Sequence, residues 1–371
     1  MMNRGSVQIS LFLLLLMLGA CDLGGHGRTN GPEERIDSSQ VDQLLRSVTE
    51  HEFRRQSPTE KQGASWQLCA FYSGVMAAHD ATGFPSYRER VRRWAETNEW
   101  SIREDRARHA DFQCIGQIFL ELYRQDRRPH MIEETKSVFD EIMQTPRSGR
   151  EMWSWADALF MAPPVLARLG SVTGQQRYFD FLSRQYWDAS APLYDPEYGL
   201  YYRDTRYRDR QTVNGHPVFW ARGNGWVLAG LARILEALPE DYSGRRRFER
   251  RFRAMAKAVA SLQGEEGFWP PSLLDPGAAG TRETSGTGFF CYALAWGVNH
   301  GHLSRERYEP VVRTAWGALR RSVNEDGRLG WVQPPGSRPA PAVRTDTYPY
   351  GAGALLLAGS EVLDMLDESS S

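Results

Sequence analysis

Residues 153–164 read WSWADALFMAPP, and the interpretation of the chain turns on this stretch. From Ala156 onward, Ala158, Met161, Val165 and Leu169 fall on one face at helical spacing, which predicts an amphipathic helix over about 156–170. Pro163 sits six residues beyond Asp157. The opening turns must therefore contain a weak or distorted point, because proline removes a backbone donor and crowds the preceding turn. The single carboxylate, Asp157, is thus placed in or near a first helical turn among aromatic residues. Desolvation there raises a carboxyl pKa and suits it to act as an acid near neutral pH. The alternative is an acidic residue placed to match the positive end of a helix dipole.

Helical periodicity extends over most of the chain. Candidate helices run at roughly 38–54, 65–81, 85–98, 111–125, 131–145, 156–170, 175–187, 222–237, 246–262, 286–300, 305–322 and 351–365. Twelve similar helices joined by short polar or Gly/Pro connections imply six antiparallel hairpins, and thus an all-α (α/α)6 barrel whose inner helices ring a deep pocket. An open solenoid is the weaker alternative, because no fixed-period repeat is visible. Two long non-helical intervals interrupt the pattern. One, 189–221, carries Tyr194, Tyr198, Tyr201, Tyr202 and Tyr207; the other, 264–285, carries Phe268, Trp269, Pro270 and Pro271. Long loops in a compact domain tend to carry function. Aromatic rings in them fit an oligosaccharide cleft, whose sugar C–H faces stack on ring faces, or else close small local cores.

The 371 residues, 41% hydrophobic and 12% aromatic, suffice for a large core, and no strong linker follows residue 35. A net charge of -1 with no basic stripe argues against nucleic-acid binding. The N-terminus reads as a targeting segment: Arg4, then the short apolar run Ile9–Leu18, then Leu18-Gly19-Ala20-Cys21. Small residues before a cysteine resemble a bacterial lipoprotein cleavage site, with Cys21 lipidated; an ordinary cleaved signal peptide is the alternative. The expected organisation is a signal peptide at 1–20, a flexible tether at 21–36 and a catalytic domain at 37–371. The protein would be exported and held by a lipid anchor alone, on the periplasmic or cell-surface side. With Cys21 assigned to lipid, Cys69, Cys114 and Cys291 remain, an odd number in apolar helical contexts, and they read as small core residues. His300-Gly-His302 reads as a helix end, and neither HExxH nor paired CxxC occurs; no metal or other cofactor is expected.

Four further motifs bear on chemistry. WARGNGW (220–226) opens a candidate helix; its glycines permit close backbone approach, Arg222 offers a planar two-pronged donor to a carboxylate, and Trp220 and Trp226 offer stacking faces. A tight turn with an exposed arginine is the structural alternative. His109-Ala110-Asp111 precedes an apolar run, so Asp111 reads as an N-cap. A second carboxylate near Asp157 would also separate an acid from a base by mutual repulsion. The hydroxyls of ETSGTGF (283–289) suit a helix cap, and Tyr348 and Tyr350 open the last helix.

Taken together, ADALFMAPP, ARGNGW, ETSGTGF and the terminal GAGALLLAGSE resemble the unsaturated glucuronyl and rhamnogalacturonyl hydrolases, glycoside hydrolase families 88 and 105, with family 105 closer. The resemblance runs from about residue 40 to the C-terminus. It implies an (α/α)6 barrel acting without metal on oligosaccharides whose terminal uronic acid carries a C4=C5 double bond left by a polysaccharide lyase. It implies that Asp157 protonates C4 and that water adds at C5, with Asp111 orienting Asp157 or binding sugar hydroxyls. Arg222 and Trp226 match positions that contact the unsaturated sugar; Trp220 would stack beside them, and Met161 would line the pocket. One departure stands out. Where such proteins carry histidine in a YHxWD-like segment, this chain reads Leu200-Tyr201-Tyr202-Arg203-Asp204. The alternatives are another (α/α)6 carbohydrate enzyme, a lyase or an epimerase, or a carbohydrate-binding lipoprotein without catalysis.

Overall fold

The computed structural model describes residues 36–56, 63, 65–102 and 107–368. The expected signal peptide, Cys21 and nearly all of the tether lie outside the described residues. From Ile36 onward the chain forms one compact unit. Its first half contains α1 (Ser38–Arg55), α2 (Trp66–Thr82), α3 (Pro85–Thr97), α4 (Ala110–Gln113), α5 (Gly116–Asp126), α6 (His130–Gln144) and α7 (Gly149–Met152). Next come α8 (Ala158–Met161), α9 (Pro163–Thr173) and α10 (Gln176–Leu193), then a two-stranded hairpin of β1 (Tyr194–Asp195) and β2 (Leu200–Tyr201). The last five helices are α11 (Ala221–Ala237), α12 (Arg245–Ala260), α13 (Thr284–Asn299), α14 (Arg305–Arg321) and α15 (Pro349–Glu368).

Setting aside the four-residue helices α4, α7 and α8, twelve long helices remain among the described residues, and they alternate between two layers. In the inner layer α2 packs on α5, α5 on α9, α9 on α11, α11 on α13, α13 on α15, and α15 back on α2. The ring closes, as an (α/α)6 barrel requires. Side-chain chemistry sorts the layers. Every residue of α13 from Thr284 to Val298 and of α11 from Ala221 to Leu235 is buried, as expected for helices surrounded on all sides. Outer helix α12 instead buries one stripe, Phe248, Phe252, Met255, Ala256 and Val259, under a face of arginines. Small residues set how closely the inner helices approach. A Cβ on Gly74 of α2 would lie 2.5 Å from the Gly353 carbonyl oxygen of α15, and a Cβ on Gly353 of the terminal motif would press on Ala70 O of α2, so each needs to be glycine.

Two expected helices are broken. The helix expected over 156–170 divides at Ala162, where Pro163 and Pro164 begin α9, the distorted point anticipated from the prolines. The helix expected over 111–125 divides into α4 and α5 at Cys114 and Ile115. The reading of Cys69 and Cys114 as separate core residues is corrected. They form a disulfide with a Cα–Cα distance of 5.9 Å, tying α2 to the break after α4, while Cys291 stays free and buried. The partners lie 45 residues apart, and only the packing of α2 beside α5 brings them together.

Away from the site, the floor of the barrel is tied by charge. Arg168 of α9 lies 3.1 Å from Glu236 and 3.8 Å from Glu121, and Arg233 of α11 donates to Gln117 at 2.7 Å. Cations near the C-terminal ends of inner helices match the negative ends of their dipoles.

Candidate active site

Each inner helix is followed by an outer return helix, so the inner helices all run the same way and their N-termini meet at one rim. Trp66 (α2), Asp111 (before α5), Asp157 (before α9), Arg222 (α11), Glu283 (before α13) and Tyr350 (α15) all stand there. Partial positive charge from the first turns gathers at this rim and favours an anionic ligand.

Asp157 occupies the N-cap position of α8 with helical dihedrals, and its side chain makes no capping hydrogen bond. That excludes the simplest structural role for it. The carboxyl is 14% exposed, and its Oδ2 is buried without a hydrogen-bond partner. Burial pushes its pKa above the ordinary 3.8, against the opposing charges of Arg203 and Arg222. Arg203 Nε stands 3.8 Å from Oδ2, beyond hydrogen-bond length. The two segments are held together by backbone: Ala156 N donates to Arg203 O at 2.7 Å, beside a bridge between Trp155 and Asp204.

Asp111 stands at the same rim, on α4, close enough to interact with the Asp157 charge. Burial, and next the negative charge of Asp157, push its pKa from 3.8 to about 7, with Arg203 opposing. The rim therefore holds two interacting carboxyls, one of which keeps its proton near neutrality. The N-cap reading of Asp111 is corrected. His109 is the N-cap, its Nδ1 accepting from Asp111 N at 3.3 Å, and Asp111 lies inside the first turn with its carboxyl Oδ2 3.7 Å from the same His109 nitrogen. The His109 ring in turn packs 4.9 Å from that of Trp155.

Arg222 is 1% exposed and does not present an open fork. Nη1 donates to Gln333 O and, at 3.1 Å, to the Tyr350 hydroxyl; Nη2 donates to Pro334 O at 3.0 Å. The guanidinium also lies 4.5 Å over the Trp220 ring. It is a buried cation that anchors the 333–334 segment and acts on Asp157 through its charge. Trp220 and Trp226, expected as sugar-stacking faces, are 1% and 0% exposed. Trp220 is held by Nε1–H donating to Gln333 Oε1 at 2.9 Å, and Trp226 packs at 4.1 Å on Phe289 and 4.8 Å on Phe160. Met161, expected to line the pocket, is 1% exposed in the core. Helical period placed these residues beside the site, but nothing in the sequence separates a ring under the cavity floor from one facing the cavity. The cap of α13 is also corrected: it is the Glu283 carboxylate, accepting from Ser285 N and Gly286 N at 2.8 and 2.6 Å, rather than a hydroxyl.

Half-buried rings suited to stacking are Trp66, Trp155 and Tyr348, none of which the sequence reading placed in the site as a sugar contact. Tyr201, Tyr202 and Tyr207 of the aromatic loop are buried and close local cores instead. The residue most clearly missed is Arg203. Its signal was the charged run Arg203-Asp204-Thr205-Arg206 inside an otherwise aromatic loop, at the place where a histidine was sought. His216 lies exposed on a separate turn. Among the described residues no three His, Cys, Asp or Glu side chains converge as metal ligands do.

A closed helical barrel with two interacting carboxyls at the rim of its inner N-termini has the groups an acid–base enzyme needs. The chain belongs to Glycosyl Hydrolase Family 88, whose family model matches residues 38–366, and it is a glycoside hydrolase. It is 34% identical to an Unsaturated 3S-rhamnoglycuronyl hydrolase of Alteromonas sp. (strain LOR), over 98% of this chain and 99% of that one. It is 40% identical to a protein of the same name from Formosa agariphila, over 81% and 84%. Among solved structures, a glycosyl hydrolase family 88 protein from Bacteroides vulgatus superposes with a TM-score of 0.84 at 30% identity, covering 88% of this chain and 99% of that one. A protein named as a polysaccharide lyase also superposes at 0.84, with 37% identity and coverage of 89% and 98%.

Proposed function

We propose that this glycosidase removes the terminal 4,5-unsaturated uronic acid from lyase-generated oligosaccharides, and that its substrates are of the rhamnoglycuronyl type named for the two relatives. The observation that carries the reading is the Asp157 carboxyl. It is desolvated, uncapped and paired with Asp111, at a rim where helix N-termini favour an anion. Protonated Asp157 delivers its proton to C4, and the C4=C5 electron pair forms the new C–H bond. Positive charge is then shared by C5 and the ring oxygen. Water bonds to C5 and returns a proton to the Asp157 carboxylate, so the enzyme ends as it began. The C5 hemiketal opens, the glycosidic bond at C1 breaks, and the remaining saccharide leaves with its proton. Because the chemistry lies at C4–C5, carboxyl spacing does not predict a retaining or inverting outcome.

Lyase digests lose their ultraviolet absorbance when the double bond is hydrated, and Asp157→Asn should abolish that loss while leaving the fold intact. A variant with most of its activity removes Asp157 from the role. The resemblance to a protein named as a polysaccharide lyase supports a second reading, in which absorbance appears instead of disappearing. Such a reaction needs a tyrosine or histidine base, and the Tyr350 hydroxyl is committed to Gln333 O and Arg222, which leaves Tyr348 and His109 as the groups that reading would have to use. For location, we propose export with Cys21 lipidated, residues 21–36 serving as the tether. The Cys69–Cys114 disulfide supports an oxidising compartment. Loss of labelled-palmitate incorporation in Cys21→Ser tests the anchor.

A further inference from the structure

Four charged groups face the Asp157 carboxyl: Asp111 from α4, Arg203 and Asp204 from the segment after β2, and Arg222 from α11. Both cations oppose protonation of a residue that must deliver a proton, so in the unliganded site the negative charge of the carboxyl pair is best held on Asp157, and the proton on Asp111. Arg222 is committed to Gln333 O, Pro334 O and the Tyr350 hydroxyl. Arg203 is only partly engaged. Its Nη1 donates to Asp204 Oδ2 at 2.9 Å, while Nε is buried with no hydrogen-bond partner, and no hydrogen bond from Nη2 occurs among the described residues. Asp204 does not need more from it, since Arg206 already donates to it from backbone N, Nε and Nη2.

The substrate's own geometry selects between the two cations. The carboxyl carbon of an unsaturated uronate is attached to C5, the neighbour of the carbon that is protonated. With C–C bonds of about 1.5 Å, its oxygens lie roughly 3 to 4 Å from C4. An acid in contact with C4 therefore stands beside the carboxylate, and the unsatisfied cation beside that acid is Arg203, 3.8 Å away. We propose that Arg203 receives the substrate carboxylate through its Nε–Nη2 edge, and that this capture is what allows Asp157 to hold the transferable proton.

The bound carboxylate offsets the guanidinium charge that opposes protonation of both carboxyls, and because it lies nearest Asp157 it favours the proton there. The carboxylate thus serves as the key to the acid as well as a handle for binding, and a neutral ring of the same shape is turned over poorly even when it fits. Arg203 accordingly binds substrate and sets specificity, in the place where a histidine was sought.

The inference rests on the unsaturated-uronate reaction proposed above, and one experiment separates the two. Full-length protein is assayed by loss of ultraviolet absorbance on an unsaturated uronyl disaccharide with a free carboxylate and on its C6 methyl ester, for wild type, Arg203→Gln and Arg203→Lys. Wild type should favour the free acid by at least about 30-fold in kcat/KM, the worth of a charge-assisted contact. Arg203→Gln should reduce that ratio to within about threefold of unity, mainly by raising KM for the free acid, while Arg203→Lys recovers part of it because a point charge replaces the fork. The alkaline limb of the free-acid profile should move to higher pH in Arg203→Gln, because the cation that opposes protonation of both carboxyls is gone. An unchanged acid-to-ester ratio in both variants overturns the assignment of Arg203 and leaves the reaction standing. Wild-type protein that consumes neither compound, nor any other lyase product, overturns the reaction and the assignment with it.

Discussion

Replacing Asp111 with Asn tests the coupling of the two carboxyls through stability rather than turnover. Burial and the neighbouring Asp157 charge raise Asp111 from 3.8 to about 7. The folded chain therefore holds this proton more tightly than the unfolded chain, and stability falls as pH rises through the interval between those values. Asparagine keeps the shape and removes the titration. Between about pH 5 and the upper end of that interval lie roughly two decades of proton activity, worth about 2.7 kcal/mol at 1.36 kcal/mol per decade. The side chain is 29% exposed, and solvent screening brings this to roughly 1–2 kcal/mol. Asp111→Asn should thus gain that much relative to wild type on going from about pH 5 to about pH 8, read by urea unfolding at both values. Other titrating groups largely cancel in the difference between variant and wild type. A difference that does not vary with pH would refute the pairing, and with it the electrostatic basis of the acid.

Trp226→Ala should destabilise the fold by about 3–5 kcal/mol, because it empties a ring site between Phe289 and Phe160; calorimetry checks it. Trp66→Ala, altering a half-buried rim ring, should instead raise KM with little change in melting temperature. Cys69→Ser should cost about 2–4 kcal/mol under oxidising conditions and nothing beyond the effect of reductant on wild type. In Gly230→Ala the new Cβ would lie 2.6 Å from Leu159 O, a backbone atom of α8, the short helix that starts at Asp157. It should lower both stability and turnover, and wild-type kinetics would show that α11 does not position α8.

The barrel was legible along the chain because its signals are local. Caps, prolines and helical period need only a few neighbouring residues, and twelve long segments with short connections leave few ways to bury their apolar faces. The uncharged α13 and the striped, arginine-rich α12 already differ in composition as an inner and an outer helix must. Asp157 was legible for the same reason, a carboxylate set in an aromatic turn before a proline break. What the sequence could not decide was direction. Period places Trp220, Trp226, Met161 and Arg222 near the rim, yet whether each faces the cavity or lies beneath it depends on the 331–334 segment and Phe289, which come from far along the chain. The Cys69–Cys114 pairing and the approach of Arg203 to Asp157 are of the same kind. Local preferences decided which helices form; the closing of the ring, a set of contacts between residues tens to hundreds of positions apart, decided which charges meet.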